Sequence, residues 1–234
     1  SKKVQKNKFG ACLMKEPNLV ADCLIKMQSL TSLPVTVKTR IGYDEVEDYE
    51  NLFNFINTLK KTGIKTFIVH ARKAMLGKFT PKQNLNIPPL KYENVYKLKE
   101  DFKDLEIIIN GGISSNEQIK NHLKKVNGVM LGRSIYHSPY FLADIEKEIF
   151  NNNKIRSRQE VMEDFIPYVK NEIKKGTRMN QIMRHTLGLF HGQTGSSYWK
   201  KYLSQNMCVR DADVKKIDHI MDKVKFNPQI HSTG

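Results

Sequence analysis

The chain has 234 residues and a mass of 27.1 kDa, room for one large domain or two small ones, and its 39% apolar content is enough for a lean core. With 39 Lys and Arg against 24 Asp and Glu it carries +15 and a pI near 9.6; this favours an anionic partner, nucleic acid first, with Lys- and Asn-rich coding bias as the competing reading. Three cysteines without a CxxC pair argue against a disulfide framework or a thiolate metal site and suit a reducing, cytoplasmic setting; no apolar run approaches the roughly 18 residues of a membrane span, and SKKVQKNKFG has neither the apolar core of a signal peptide nor an initiator Met.

The first 150 residues alternate strand and helix patterns. Leu19–Leu30 reads as a helix with Leu19, Val20, Cys23, Leu24 and Met27 on one apolar stripe. Val35–Lys38 reads as a strand, Tyr49–Lys61 as an amphipathic helix closed by Gly63, and Phe67–His70 as a second strand. A long polar loop, Lys73–Pro89, is followed by a helix over Tyr92–Phe102 and a strand over Leu105–Asn110. A helix over Ser115–Lys125, capped by Ser114 or Ser115, leads to a last strand, Val129–Leu131, and a short helix over Pro139–Phe150. After Asn151–Asn153 only helical patterns remain: Ser157–Lys175, Met179–Leu189, Ser197–Asn206 and Asp211–Lys225, before a frayed end over Pro228–Gly234. Residues 151–234 hold 15 Lys and Arg against 8 Asp and Glu, +7 in 84 residues, so this smaller part is the more densely positive.

Four strand ends carry polar or glycine residues: Lys38, His70, Asn110 and Gly132, separated by 32, 40 and 22 residues. A (β/α)₈ barrel spends about 31 residues per βα unit and keeps its chemistry at the C-terminal ends of strands. The expected fold is therefore α/β: the C-terminal half of a TIM barrel, strands 5–8, over residues 1–150, then an all-α domain over 151–234. Asn110-Gly111-Gly112 and Gly132-Arg133 form a candidate phosphate cradle, because glycines let backbone N–H groups approach an anion and Arg133 adds charge; two ordinary βα turns are the alternative. Lys38 and His70 each stand at the end of an apolar strand, where a single such residue is often structural but two on successive strands support each other; Arg40 and Arg72 follow two residues later. In the helical part, Arg178, Arg184, His185, Trp199, Lys200, Lys201 and Tyr202 interleave cations with aromatics, as a phosphate backbone with unstacked bases requires; a solvated charged face with Trp199 in the core is equally compatible.

The segments SKKVQKNKFGACLM, LVADC, PVTVKTRIG, FIVHARKA, IPPL, INGGI, GVMLGR, RHTLGLFHG and YWKKYLSQN, in that order, resemble tRNA-dihydrouridine synthases of the A subfamily, which act on U20 and U20a. The resemblance implies an FMN-binding TIM barrel followed by a helical tRNA-binding domain, NADPH as reductant, and a monomer for the full-length form. It places flavin binding on Lys38 and His70, and phosphate binding on Asn110, Gly111, Gly112, Gly132 and Arg133. A cation about 4 Å from the anionic edge of a reduced flavin is worth roughly 4 kcal/mol at an effective dielectric near 20, a role open to Lys38. The target uridine has to leave its stack to be reduced. Contacts to tRNA are implied for Arg178, Arg184, Lys200 and Lys201, and for Gln83 and Leu85 in the loop after the HAR strand, where leucine replaces an expected basic residue.

The family's general acid is a cysteine in a CPS motif. Ser1 resembles the serine of that motif, which implies a cysteine two residues upstream of this sequence and, with it, strands 1–4. Cys12 is the tempting substitute, but its position belongs to the turn into the next helix. The chain as given is thus expected to be an inactive fragment with an aggregation-prone open edge at Val35–Lys38. Other readings are another phosphate- or flavin-binding barrel enzyme acting on a small metabolite and a non-catalytic tRNA-binding protein.

Overall fold

A computed structural model of the chain describes residues 9–46, 49–77 and 79–207. Ser1, Cys208, the expected helix over Asp211–Lys225 and the segment Pro228–Gly234 lie outside the described residues. The chain divides into two compact units, residues 1–132 and 133–234.

The first unit holds four parallel strands, β1 (Val37–Arg40), β2 (Thr66–His70), β3 (Glu106–Asn110) and β4 (Gly128–Met130), hydrogen-bonded in the order β1-β2-β3-β4. Sequence order and spatial order coincide, so each crossover steps to the next strand in one direction. Helix α1 (Pro17–Leu30) precedes β1, and the crossovers carry α2 (Tyr49–Lys60), the single turn α3 (Pro81–Asn84), α4 (Tyr92–Asp101) and α5 (Asn116–Leu123). Local chemistry sets the helix ends: Pro17 starts α1 at its first turn, and the Ser115 hydroxyl accepts from the Gln118 N–H at the start of α5.

Side chains alternate across a strand. Val37, Phe67, Val69, Ile107 and Ile109 are buried on one face, and the buried residues of α2 and α4, Leu52, Ile56, Leu59, Val95 and Leu98, complete this core. Lys38, Arg40, Ile68, His70, Ile108 and Asn110 occupy the alternate positions, and the pairings Arg40↔His70, His70↔Asn110 and Asn110↔Met130 set the last of these level with one another.

Three expectations are corrected here. The apolar stripe proposed for α1 does not face the core: Leu24 is buried, but Leu19 and Met27 are each 52% exposed and Cys23 is exposed. Strand β1 is Val37–Arg40 rather than Val35–Lys38, so Lys38 is its second residue and Arg40 its end, and a 3₁₀ turn, Gly10–Lys15, precedes α1. The loop Lys73–Pro89 is ordered around α3, whose start is a reciprocal cap: the Thr80 hydroxyl accepts from the Gln83 N–H, and the Gln83 side chain accepts from the Thr80 N–H.

Among the described residues of the second unit every regular element is helical: α6 (Arg133–His137), α7 (Phe141–Glu148), α8 (Arg158–Lys174), α9 (Met179–Met183), the 3₁₀ turn Arg184–Thr186 and α10 (Ser196–Asn206). The units part at residue 132, ahead of the change of pattern near 150, because α6 and the start of α7 are tied to later helices. The Tyr140 hydroxyl donates to the Arg156 carbonyl at 2.6 Å, and Gly188 lies so close to the His137 carbonyl that no Cβ fits between them. That contact also explains why the expected Met179–Leu189 helix is broken into α9 and a 3₁₀ turn. The core gathers Met162, Val169, Ile182, Met183, Leu189, Phe190, Trp199 and Leu203. Trp199 is 1% exposed, its indole N–H donates to the Thr186 carbonyl at 3.1 Å, and it is therefore a core residue rather than a stacking platform for bases. No helix among the described residues is long and apolar enough to cross a membrane.

Candidate active site

Lys38 in β1 and the last residues of β2 and β3, His70 and Asn110, line one cleft of about 450 Å³, walled also by Arg40 at the end of β1, Leu85 and the 3₁₀ turn residues Ala11 and Met14. Lys38 Nζ donates to Asn110 Oδ1 at 2.8 Å, reaching past β2, while Asn110 Nδ2 donates to the Met130 carbonyl at 2.7 Å. One amide side chain thus ties the ammonium of β1 to the end of β4. The His70 ring is buried, with its Nε2 edge beside Gly111: a Cβ on Gly111 would stand 3.4 Å from it.

Gly111 and Gly112 have φ of +124° and +68°, conformations that side chains resist. Space is also short there, since a Cβ on Gly112 would meet Leu90 Cδ1 at 2.7 Å. Tyr92 fixes the turn by donating its hydroxyl to the Gly111 carbonyl at 2.7 Å. Gly132, by contrast, has open space where a Cβ would be. Arg133 opens α6 and belongs to the second unit.

The charges in the cleft are one-sided. Burial, then the neighbouring Arg40 guanidinium, hold the Lys38 ammonium below its ordinary pKa. Burial, then Arg72, act the same way on Arg40. Desolvated like charges favour an anionic occupant, which stabilises their charged forms. The donor set suits a flavin mononucleotide: a cation at the cleft wall, an imidazole, and a glycine turn at a strand end for a phosphate.

Sequence reasoning missed how the cleft's upper wall is held. Arg40 Nη1 donates to the carbonyls of Lys73 and Asn84, both at 3.0 Å, and Arg72 donates to the Pro88 carbonyl. Asn84 is the hub of the loop: its Oδ1 accepts from the Met75 N–H at 2.7 Å, and its Nδ2 donates to the carbonyls of Met75 at 3.0 Å and Phe79 at 3.2 Å. Asp44 Oδ1 accepts from the Leu76 N–H at 2.6 Å. An asparagine between Pro81 and Pro88 was the available signal, since its side chain readily replaces backbone partners in turns. Leu85, next in the chain, lines the cleft; Gln83 is exposed and its side chain is used in the cap of α3.

Cys12 donates its thiol to the Phe9 carbonyl at 2.9 Å, and its neighbours Ala11 and Leu13 line the cleft while Cys12 does not. Cys23 is exposed on α1. No cluster of metal-ligating side chains occurs among the described residues. In the second unit Arg178, Arg184, Lys200 and Lys201 are all exposed. Arg178 precedes α9, and Lys200 and Lys201 flank the buried Trp199 on α10.

The chain is thus an α/β protein with a parallel sheet whose last strand residues include Arg40, His70 and Asn110, followed by a helical unit with exposed basic residues. Residues 1–225 match the dihydrouridine synthase (Dus) family, and the chain belongs to that family. It is 44% identical over 227 residues to the tRNA-dihydrouridine(20/20a) synthase of Synechocystis, covering 97% of this chain and 68% of that protein. Proteins of the same name from Shewanella oneidensis and Escherichia coli K12 are each 46% identical, over 93% and 96% of this chain and 65% and 66% of theirs. The chain thus spans about two thirds of the length of these relatives.

Proposed function

We propose that the chain is the flavin- and tRNA-binding part of an enzyme that reduces uridine to 5,6-dihydrouridine in the D-loop of tRNA, at U20 and U20a, with NADPH as reductant. The first unit is then an arc of a TIM barrel, its strands the last four of eight, and the helical part from about residue 151 holds the tRNA. The observation that carries the reading is the meeting of Lys38 with Arg40, His70 and Asn110, the last residues of three sequential parallel strands, in one cleft. The names of the relatives supply the substrate.

Bound in this cleft, FMN supplies the hydride chemistry for saturating the uracil double bond. The protein's own residues bind and orient. Lys38 offers an ammonium whose proton is made easier to lose by its surroundings and is held in place by an anion. Asn110 fixes the direction of that ammonium from the other side of β2. The Gly111-Gly112 turn and Gly132 serve the phosphate, and His70 packs against the turn. Leu85 gives the braced loop an apolar edge at the cleft, suited to a base turned out of its stack. Cys12 is not the proton donor, because its thiol is spent on the Phe9 carbonyl at 2.9 Å.

The test uses the native gene product, purified and mixed with an unmodified tRNA transcript and NADPH. Flavin absorbance with the protein, dihydrouridine by nucleoside mass spectrometry, and loss of both in Lys38→Met are expected. A folded protein that retains no FMN when the cofactor is supplied, or that reduces no uridine, overturns the reading.

A further inference from the structure

The second unit has a cleft of its own, about 480 Å³ in volume, that the flavin chemistry does not use. Its floor is apolar, from Met162, Phe165 and Leu189, and its rim carries Arg156, Asp164 and His185. The volume falls in the range of small-ligand sites, and an apolar floor with a few polar groups at the mouth is their usual composition.

The His185 ring is held at both edges. Arg184 donates its Nε–H to His185 Nε2 at 3.2 Å, which makes that nitrogen the acceptor. The Nδ1 edge faces the Tyr136 hydroxyl at 3.3 Å. Both contacts are made through the ring's edge atoms, and the ring lines the cleft. Phe165, on α8, supplies a second aromatic ring to the same cleft. The surroundings are cationic: Arg184 adjoins His185, Arg156 pairs with Asp164 at the rim, and Arg158 donates to the carbonyl of the lining residue Leu189 at 3.0 Å while stacking on Tyr140. Asp164, the one carboxylate among the lining residues, and Arg156 neutralise each other, which leaves Arg184 and Arg158 as the net positive charge beside the cleft.

Flat apolar surfaces inside a ring of arginines match an unstacked base attached to phosphates, and match poorly an acyl chain or an acidic peptide, neither of which presents a flat face between charges. We infer that this cleft of the helical unit receives a single nucleobase of the bound tRNA, turned out of its stack and laid against His185 and Phe165. The inference rests on the proposed tRNA substrate and assigns it a second anchoring point, distinct from the uridine that reacts.

The experiment measures the affinity of the full-length protein for an unmodified tRNA transcript across a salt series, with thermal midpoints as the folding control. Val161, 37% exposed and lining the cleft, is replaced by Trp to fill it; His185 is replaced by Ala and separately by Phe. Loss of one stacked base weakens binding about ten-fold at fixed salt. Val161→Trp and His185→Ala are expected to show that loss with an unchanged salt slope, and His185→Phe, which keeps a flat ring, to recover most of it. Arg184→Gln is expected instead to reduce the slope by about one phosphate's worth. If wild type binds tRNA and both Val161→Trp and His185→Ala bind within about two-fold of it, with their midpoints kept, the pocket is refuted and the tRNA reading stands. If wild type shows no salt-dependent tRNA binding, both fall together.

Discussion

Replacing Asn84 by Ala separates the order of the loop from the chemistry of the cleft, because the Asn84 side chain bonds only within the segment it organises. Three of its bonds have good distances: 2.7 Å from the Met75 N–H, and 3.0 and 3.2 Å to the carbonyls of Met75 and Phe79. A fourth, to the Thr80 carbonyl at 3.4 Å, adds little. Each net bond is worth about 1 kcal/mol, so closing the loop loses about 2–3 kcal/mol. That corresponds to a roughly 30- to 150-fold rise in opening, and it falls on one segment rather than the whole fold. Native-state hydrogen exchange is the assay. The amides of Met75, Leu76 and Asp44, which bond to Asn84, Asp44 and the Ala74 carbonyl, are expected to exchange faster by that factor. Amides of β2 and β3 are expected to hold their rates. FMN affinity falls with the loop, because Leu85 leaves the wall, while the Lys38–Asn110 contact persists. A rise of less than about five-fold at Met75 and Leu76, or an equal rise at the strand amides, refutes the assignment of Asn84 as a local hub.

Three further outcomes are expected. Gly112→Ala puts a side chain at φ +68° with its Cβ 2.7 Å from Leu90 Cδ1; the left-handed backbone alone costs about 1–2 kcal/mol, and the variant is expected to keep its far-ultraviolet circular dichroism while losing FMN affinity, so unchanged affinity counts against the cradle. The lowered pKa of Lys38 means that, between its folded and unfolded values, the unfolded chain binds more protons, so stability rises with pH across that window. An anion needs the charged form, so FMN affinity, read by flavin fluorescence, is expected to fall as pH climbs through the folded value, and in Lys38→Met this dependence disappears; a variant with the same alkaline slope as wild type removes Lys38 from the binding role. In the second unit, Trp199→Ala deletes a side chain that is 1% exposed and packs edge-on against Phe190 at 4.8 Å. A loss of about 3–5 kcal/mol in denaturant unfolding is expected, and a loss under about 1 kcal/mol shows that Trp199 is not the keystone of that core.

The second and third strands and their polar ends were legible because each rests on a local pattern, a β-branched run cut off by His70 or by Asn110-Gly111-Gly112; the same pattern places the first strand two residues early, since it runs on through Lys38 to Arg40. Helices with a cap in the sequence, such as α8 after Ser157, were equally legible, and Ser157 does accept from the Glu160 N–H. What could not be read depends on partners far along the chain. The stripe on α1 has helical spacing whichever way it faces, so period alone cannot say that Leu24 turns inward and Leu19 outward. The break after α9 follows from the approach of Gly188 to His137, some fifty residues earlier. The bracing of the loop by Arg40 joins residues 33 and 44 positions apart, and nothing near Arg40 announces it. Trp199 stood equally well as a core residue or a base-stacking residue until its burial was known.

The alternation along the strands has a consequence for how the site can fail. Thr39 lies between Lys38 and Arg40, Val69 precedes His70, and Ile109 precedes Asn110; Val69 and Ile109 are fully buried and Thr39 nearly so. Sliding any strand by one position would send a cation or an amide into the oily layer and bring a hydrocarbon out to the cleft. Misalignment of the binding groups is therefore not a subtle error that a folded molecule could carry unnoticed. The hydrophobic layer acts as a proofreader of the polar one: a molecule that has passed its folding test has, by the same act, lined up Arg40, His70 and Asn110.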